Sequence, residues 1–260
     1  MYLKKYQQDD FLCFVILLWM SPGLIFSQNL SKNVSHTNQQ WIHYFLQAKV
    51  SEKWTLLADG SYRLREGFEA HALYLARVGV AYQLNNSVRL AAGFANLGTY
   101  GEENITRREY RPHQEVSIRN KFPRLDINHR FRLEERFFRE AHPAPGEDPN
   151  NFNYRFRYQF LMNIPLVTFK ASKSEKKLLL GIADEIFIQA GREIVYNVFD
   201  QNRVLISPTI QCNKSLSIAL TYAYQFASQN APNRYVHTDI YWLIIRHNID
   251  LSPKHKHQKS

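Results

Sequence analysis

Apolar and polar side chains alternate at every second position through most of this chain. Between Trp54 and Leu64 every second residue is apolar or small, and the residues between them include Asp59 and Arg63. Side chains two residues apart share one face of a β-strand, so the alternation predicts strands with one apolar and one polar face. No segment keeps the helical period over the length of an ordinary helix, which predicts an all-β fold. The strands are expected at 53–65, 72–84, 88–94, 125–137, 152–164 and 216–226, with weaker patterns at 41–50, 109–120, 178–189, 200–211 and 235–248.

The composition excludes two other classes of protein. Charged residues make up 22% of the sequence and are spread along it. A bundle of membrane-spanning helices instead needs runs of ~20 apolar residues almost without charge. Aromatic residues make up 14%, more than a disordered chain carries. The chain is therefore ordered, and it hides apolar groups without long apolar runs.

The contents of the two faces favour a membrane barrel over a soluble sandwich. The polar face of a soluble sheet is rich in Thr, Ser, Lys and Glu. Here one face carries mainly Arg with Asp and Glu, and the other carries Tyr, Phe and Trp, as in 152–164. These faces predict a closed antiparallel transmembrane β-barrel, with aromatic side chains toward lipid and charged ones toward the lumen. The alternative is a soluble secreted β-barrel that binds a ligand.

The connections and the strand number give a second line of argument. Short links such as 213–214 alternate with long ones such as 98–108 and 139–151, as in outer-membrane barrels with short periplasmic turns and longer outer loops. The Lys-rich link at 167–177 is longer than this alternation predicts. The pattern gives eleven strands, but bacterial barrels normally have an even number. We therefore expect about twelve strands, with ten as the second choice: either 29–40 contains a further strand, or one of the weaker patterns is not a strand.

The first residues have the layout of a secretory signal peptide. Lys4 and Lys5 precede an apolar stretch at 11–19, and small residues follow. This stretch is too short to span a bilayer, and we place cleavage after Ser27. The expected organisation is a signal peptide at 1–27, a polar N-terminal segment at 28–40, an outer-membrane barrel at 41–250 and a basic C-terminal tail at 251–260.

Several short motifs, in this order along the chain, resemble a known family. The motifs are Lys53-Trp54, Arg77-Val78-Gly79-Val80-Ala81-Tyr82, Ala92-Gly93-Phe94, His129-Arg130-Phe131-Arg132-Leu133-Glu134-Glu135-Arg136-Phe137, Asp184-Glu185-Ile186-Phe187 and Phe199-Asp200-Gln201-Asn202-Arg203. The chain resembles the domain-of-unknown-function 2490 family, whose members are described as outer-membrane β-barrels of Gram-negative bacteria. The resemblance implies that fold and that location. It implies no catalytic residue, because no activity is established for the family as a whole.

Charged residues on three central strands are expected to form a ladder inside the barrel. Opposite charges on adjacent strands can pair across a sheet. Such a ladder either plugs a narrow barrel, which is the interpretation we favour from the barrel size, or lines a constriction that prefers anions. Seven arginines and four carboxylates are assigned to it, on the same face as His113: Glu109, Arg111, Glu115, Arg119, Asp126, Arg130, Arg132, Glu134, Arg136, Arg155 and Arg157.

An outer-membrane lipid hydrolase is the alternative from a different class. It requires a nucleophile and a base within hydrogen-bond reach. His113 and Ser117 share a face with Glu115, but successive same-face residues are ~6.6 Å apart at Cα. A cross-strand pair such as Ser61 with His71 stays open until the register is known. We expect no enzyme activity, no catalytic residue, no cofactor and no metal site.

The net charge of +10 bears on the partners of the protein. The basic residues occupy alternating strand positions, and the signal peptide directs the chain out of the cytoplasm. This favours contact with outer-membrane lipids over binding of nucleic acid. The remaining expected partner is the barrel-assembly machinery during insertion; the oligomeric state is open.

Overall fold

The strands follow one another around a closed barrel. The computed structural model describes residues 32–143, 145–146, 148, 150–171, 174–194 and 196–253. The expected signal peptide at 1–27 and the tail from 254 to 260 lie outside them. Each strand pairs antiparallel with the next, and β1 pairs with β11 to close the sheet. The strands are β1 (Asn33–Lys49), β2 (Trp54–Arg65), β3 (Ala70–Gln83), β4 (Val88–Tyr100), β5 (Ile105–Lys121), β6 (Asp126–Glu140), β7 (Asn150–Ala171), β8 (Ser174–Ala190), β9 (Phe199–Gln211), β10 (Leu216–Ser228) and β11 (Arg234–Asp250).

The strand number differs from the expected twelve, and from ten as well. The described residues form eleven strands. An odd number of alternating strands leaves the first and last pointing the same way, so the closing pair is parallel, with Asn33 opposite Arg234 and Lys49 opposite Asp250. The expectation of twelve was wrong because it took an even number from other bacterial barrels. The expectation of a wholly antiparallel barrel fails at this one pair for the same reason.

The residues expected to form a polar N-terminal segment belong partly to the barrel. β1 begins at Asn33 rather than at Trp41, and all of it pairs with β11. Residues 33–40 therefore lengthen the first strand and do not form a twelfth one. Their polar composition did not indicate a strand. The inward face of β1 is itself partly polar, since Gln40 and His43 are buried.

The two ends of the barrel differ in their connections. The longest connections, 141–149 and 191–198, lie at the end of the barrel where β1 begins, which we call the loop end. The opposite end, the turn end, has links of four residues or fewer. The long link expected at 98–108 is wrong, since β4 runs to Tyr100 and β5 begins at Ile105.

The Lys-rich connection between β7 and β8 is also shorter than expected. β7 continues to Ala171 and β8 begins at Ser174. The two strands pair along this extension, with Thr168 opposite Lys177. The segment therefore follows the pattern of short links at the turn end.

Apolar and aromatic side chains cover the outside of the barrel. Val78 and Leu220 are 61% and 66% exposed, although both belong to strands. Aromatic pairs lie above and below this apolar surface on β2 and β3: Trp54 is opposite Tyr82 near the turn end, and Tyr62 is opposite Tyr74 near the loop end. The described part of the chain contains no helix long and apolar enough to cross a membrane.

The inside of the barrel has two unlike walls. Small and apolar side chains fill the wall around β1, β10 and β11, where Trp41, Ala223 and Ile240 belong to one buried cluster. Charged side chains fill the wall made by β5 to β8, where Glu134 and Glu185 are among the most buried residues. The inward-facing side chains of β10 are small, among them Ala219, Thr221 and Ala223. Space therefore remains in front of the charged wall.

Candidate functional site

Glu134 is the centre of an ion-pair network inside the barrel. β6 directs its side chain inward, where only 1% of it is exposed. The carboxylate accepts hydrogen bonds from Arg155 Nη2 and Arg157 Nη1, each at 2.6 Å. Arg111 and Arg132 lie 3.6 and 3.8 Å from its oxygens. One carboxylate thus serves four guanidinium groups and cannot neutralise them all.

Glu185 on β8 is the second centre of the network. Arg157 and Arg130 each donate from Nη2 to its Oε1 at 2.6 Å, and Arg203 Nη1 lies 3.9 Å away. Arg157 therefore bridges Glu134 and Glu185. Bidentate and shared guanidinium contacts of this kind fix side chains in the lumen, since each arginine is held from two strands.

Two further carboxylates extend the network toward the two ends. Glu109 accepts hydrogen bonds from Arg111 Nε and Arg136 Nε, both at 2.7 Å. Glu115 accepts from Arg132 Nη2 at 2.5 Å. Both carboxylates come from β5, and both receive a partner from β6, so the network continues along the strands as well as around the barrel.

The structure brings together nine of the eleven residues assigned to the ladder. Arg119 and Asp126 form a separate ion pair with each other at the turn end, where their side chains are 51% and 29% exposed. His113, assigned to the same face, is buried and packs on Gly93, where an added Cβ would lie 2.6 Å from its ring.

Sequence reasoning missed a second set of inward polar residues. Asp59 accepts from Arg77 Nε at 2.7 Å, and its other carboxylate oxygen lies 2.8 Å from His43 Nε2. Each of the three occupies the inward phase of its strand, which the alternation could have indicated. The pairing itself depends on the register, which opposes Asp59 to Arg77. Glu185, Arg203 and Asp200 were missed for the same reason.

The interior carries more arginines than carboxylates. Arg63, Arg89 and Arg246 have no carboxylate within ion-pair distance among the described residues. Arg63 instead lies over the ring of Trp41, with 3.7 Å between Cζ and the ring centroid. Apart from the pairs Arg107–Glu140 and Arg119–Asp126 near the two ends, the described residues place eleven arginines and six carboxylates around the lumen: Arg63, Arg77, Arg89, Arg111, Arg130, Arg132, Arg136, Arg155, Arg157, Arg203 and Arg246 against Asp59, Glu109, Glu115, Glu134, Glu185 and Asp200.

Cavities follow one another along the lumen beside this network. The middle cavity has a volume of about 320 Å³ and lies between the charged wall and Trp41. It shares Arg136 with a cavity of about 300 Å³ at the loop end. It shares Arg246 with a cavity of about 460 Å³ at the turn end. The network therefore fills one side of the lumen and leaves an arginine-lined series of spaces on the other.

The strand register separates Ser61 from His71, so the two side chains cannot act together. Ser61 is buried inside the barrel, whereas His71 lies outside, 2.8 Å from the hydroxyl of Tyr62. The two therefore face opposite sides of the sheet. His43 is the register partner of Ser61 on the inner face, but Ser61 Oγ makes no hydrogen bond to a described residue.

A hydroxyl nucleophile at Ser117 and a metal site are the two remaining kinds of chemistry to compare with the structure. Ser117 Oγ donates to Glu115 at 3.1 Å and not to a histidine. Within the described residues no three His, Cys, Asp or Glu side chains are grouped so that they could hold a metal ion. His255 and His257 lie outside those residues.

Comparison with known proteins gives one family and a distant likeness in fold. The model of a family described as "Protein of unknown function (DUF2490)" matches residues 38–236. No curated protein matches the chain.

Two solved structures from Pseudomonas aeruginosa are similar to part of the barrel. The siderophore receptor PirA is 10% identical with a TM-score of 0.30, and the alignment covers 71% of this chain and 36% of that one. A mutant of the ferric enterobactin receptor PfeA is 10% identical with a TM-score of 0.31, covering 69% of this chain and 35% of that one. The chain thus spans about a third of the length of the receptors it matches.

Proposed function

The chain belongs to the DUF2490 family of proteins of unknown function, and from that premise we propose that it is a Gram-negative outer-membrane β-barrel with a narrow passage for small anions. In this proposal residues 1–27 are a cleaved signal peptide, and the barrel-assembly machinery inserts the mature chain. The barrel has no catalytic role. The observation that carries the anion passage is the set of arginines without a carboxylate beside cavities that share lining residues along the lumen.

The exterior supports a membrane location. Trp54 and Tyr62 lie eight residues apart on β2 and both face outward. Eight residues span roughly 26 Å along a strand, and the usual tilt of a barrel strand reduces this to about 20 Å of height, close to the ~25 Å apolar band of outer-membrane barrels. Apolar side chains such as Val78 lie between the aromatic pairs. A soluble barrel would expose this surface to water at a large cost.

The lumen supports selection of anions. A carboxylate that serves several arginines leaves a positive field, and arginines without any carboxylate strengthen it. Rings of Arg or Lys favour anions in known pores. Arg63 and Arg246 line the middle cavity, while Arg89 lines a smaller cavity beside it. The glutamate network holds the rest of the charge in place and keeps the space narrow.

The competing interpretation is a plugged barrel in which the network is purely structural. Barrels of about eight strands are filled with side chains, whereas those of sixteen or more enclose wide channels. Eleven strands fall between these sizes. The cavities on the side of Trp41 favour the passage, because they follow one another from the loop end to the turn end and neighbouring cavities share lining residues.

Planar-bilayer recording with the purified mature protein tests the proposal. We expect small unitary currents and, in a KCl gradient, a reversal potential that shows preference for chloride. Arg89→Gln combined with Arg246→Gln should shift that reversal potential toward the value of a pore without ion selectivity. Neither arginine forms an ion pair with a described carboxylate, so the substitutions leave no buried acid without its partner.

The matched control is Arg108→Gln combined with Arg139→Gln, which removes the same two positive charges from exposed positions on β5 and β6. It should leave the reversal potential unchanged. Protein that inserts and shows heat-modifiable gel mobility but no unitary current would contradict the passage and favour the plugged barrel.

A further inference from the structure

The middle cavity of the lumen contains polar atoms without a partner in the protein. Trp242 Nε1, Arg63 Nε and His43 Nδ1 are buried and make no hydrogen bond to a described residue. All three side chains line this cavity. The indole and guanidinium N–H groups can only donate. The cavity therefore presents donors that lack an acceptor, and buried donors of this kind are rare in folded proteins.

The strand register places these donors close together. Trp41 on β1 has Trp242 as its partner on β11 and Arg63 as its partner on β2. The ring centroids of His43 and Trp242 are 5.7 Å apart. Three adjacent strands thus carry these N–H groups on one wall of the cavity.

Positive charge is concentrated at the same point. The guanidinium carbons of Arg63 and Arg203 lie 3.7 and 5.0 Å from the ring centroid of Trp41. Arg63 has no ion pair among the described residues, and Arg203 makes its hydrogen bonds to the neutral Gln225, with the carboxylate of Glu185 farther away at 3.9 Å. Two guanidinium groups held near one ring repel each other, and an anion close to them would offset that repulsion.

One part of the cavity wall is apolar, beside the arginines that line much of the remainder, and the space is larger than a single ion needs. Leu75, Leu97 and Ile244 line it and are buried. Its volume of about 320 Å³ is at the lower end of the ~300–1,000 Å³ found for small-molecule sites. A ligand that fits both parts of the wall has an anionic group and an apolar body.

We propose that the middle cavity binds a small organic anion, whose carboxylate or phosphate accepts hydrogen bonds from Arg63 and Trp242 and whose apolar body packs on Leu75 and Ile244. The inference rests on the proposed anion passage and deepens it. The lumen selects among anions by binding an apolar group beside the charge.

Tryptophan fluorescence of the mature protein in detergent tests this site. In a Trp54→Phe background the remaining indoles are Trp41 and Trp242, both at the cavity. The probes are phenyl phosphate, benzoate, inorganic phosphate and benzyl alcohol. We expect saturable quenching by phenyl phosphate or benzoate, and at least tenfold weaker binding of inorganic phosphate and benzyl alcohol. Comparison of the two aromatic anions shows which acidic group the site prefers.

Variants identify the residues that hold the anion. Arg63→Gln should weaken binding of the preferred aromatic anion by about 10- to 100-fold, the effect of losing a hydrogen bond to a charged group. The protein should still fold, because Arg63 is outside the glutamate network, and heat-modifiable mobility checks this. Arg108→Gln on the outer surface should bind the anion as the parent does.

Three results would overturn the inference: no saturable quenching by either aromatic anion, equal affinity for benzyl alcohol, or unchanged affinity in folded Arg63→Gln. The first would mean that water alone meets the buried donors. Failure of the passage is measured separately by conductance. Currents without saturable binding would reject the site and keep the passage, whereas binding without currents would reject the passage and keep the site.

Discussion

Asp59 and Arg77 face each other across the β2–β3 pair and form a two-point ion pair inside the barrel. Arg77 donates from Nε and Nη2 to the two carboxylate oxygens at 2.7 and 3.1 Å. Their side chains are 7% and 15% exposed. The two are register partners. The ion pair therefore depends on the register in which β2 and β3 pair.

Asp59→Asn should destabilise the barrel by about 3 kcal/mol, because it leaves the guanidinium of Arg77 buried without a counter-charge. The free energy of unfolding in urea, measured on protein folded in lipid vesicles, gives the value. Asp126→Asn is the matched control, since its partner Arg119 is half exposed. That change should cost at most about 1 kcal/mol. Equal losses in the two variants would contradict a buried role for the Asp59–Arg77 pair.

Gly93→Ala should destabilise the barrel by roughly 1–3 kcal/mol, the usual cost of overpacking. A Cβ at this position would lie 2.5 Å from the carbonyl oxygen of Val78 and 2.6 Å from the ring of His113. The backbone contact cannot be relieved by a side-chain rotation. Unfolding in urea measures the effect.

Gly60→Ala is the control for that substitution. Gly60 also lies in a strand of the same barrel, but the nearest atom to an added Cβ is the carbonyl oxygen of Leu75 at 3.8 Å. The free energy of unfolding should change by less than about 0.5 kcal/mol, as expected for a substitution without a clash. A loss as large as that of Gly93→Ala would show that glycine is needed for another reason.

The sequence predicted which face each strand turns inward, but it could not predict which charges meet. Alternation assigned Glu134, Arg155 and Arg157 to the lumen because side-chain direction is a local property of a strand. Glu185 was missed as their partner. Its contact with Arg157 depends on the register of β7 against β8, which opposes Tyr158 to Ile186, and register is fixed by pairing along the whole hairpin.

The start of the first strand was missed for a similar reason. Residues 33–40 are polar and show little alternation, so local pattern gave them no strand. They form the first half of β1 because β11 offers a free edge along its whole length. These residues form a strand because the backbone N–H and C=O groups along the edge of β11 need hydrogen-bond partners. The composition of 33–40 alone does not indicate this pairing.

Val78→Arg should destabilise the protein in lipid vesicles by about 2–4 kcal/mol, the cost of an arginine on the lipid-facing surface near the bilayer midplane. Val78 lies between Tyr74 and Tyr82 on the outward face of β3 and is 61% exposed. The free energy of unfolding in vesicles measures the cost.

Leu84→Arg is the matched control for the lipid-facing position. Leu84 is exposed and lies just beyond the end of β3, on the turn side of Tyr82. Near the interface the same change costs only about 0–1 kcal/mol. If both substitutions were equally harmless, the exterior would be in contact with water, and the soluble ligand-binding barrel would replace the membrane barrel.

Cysteines at positions 36 and 237 should form a disulfide, because His36 and His237 are partners in the parallel closing pair and their rings stack at 5.2 Å. Neighbouring strands are ~4.8 Å apart, which is within the 4.4–6.8 Å between Cα atoms that a disulfide requires. The variant uses a Cys212→Ala background, so that no other thiol of the described residues competes.

His36→Cys combined with Asp239→Cys is the control for this disulfide. An offset of two residues adds ~6.6 Å along the strand, giving a separation of about 8 Å that a disulfide cannot bridge. Faster migration of the unfolded, unreduced 36–237 variant on a gel would report the bond. A barrel closed by a twelfth strand would separate β1 from β11, and neither variant would then cross-link.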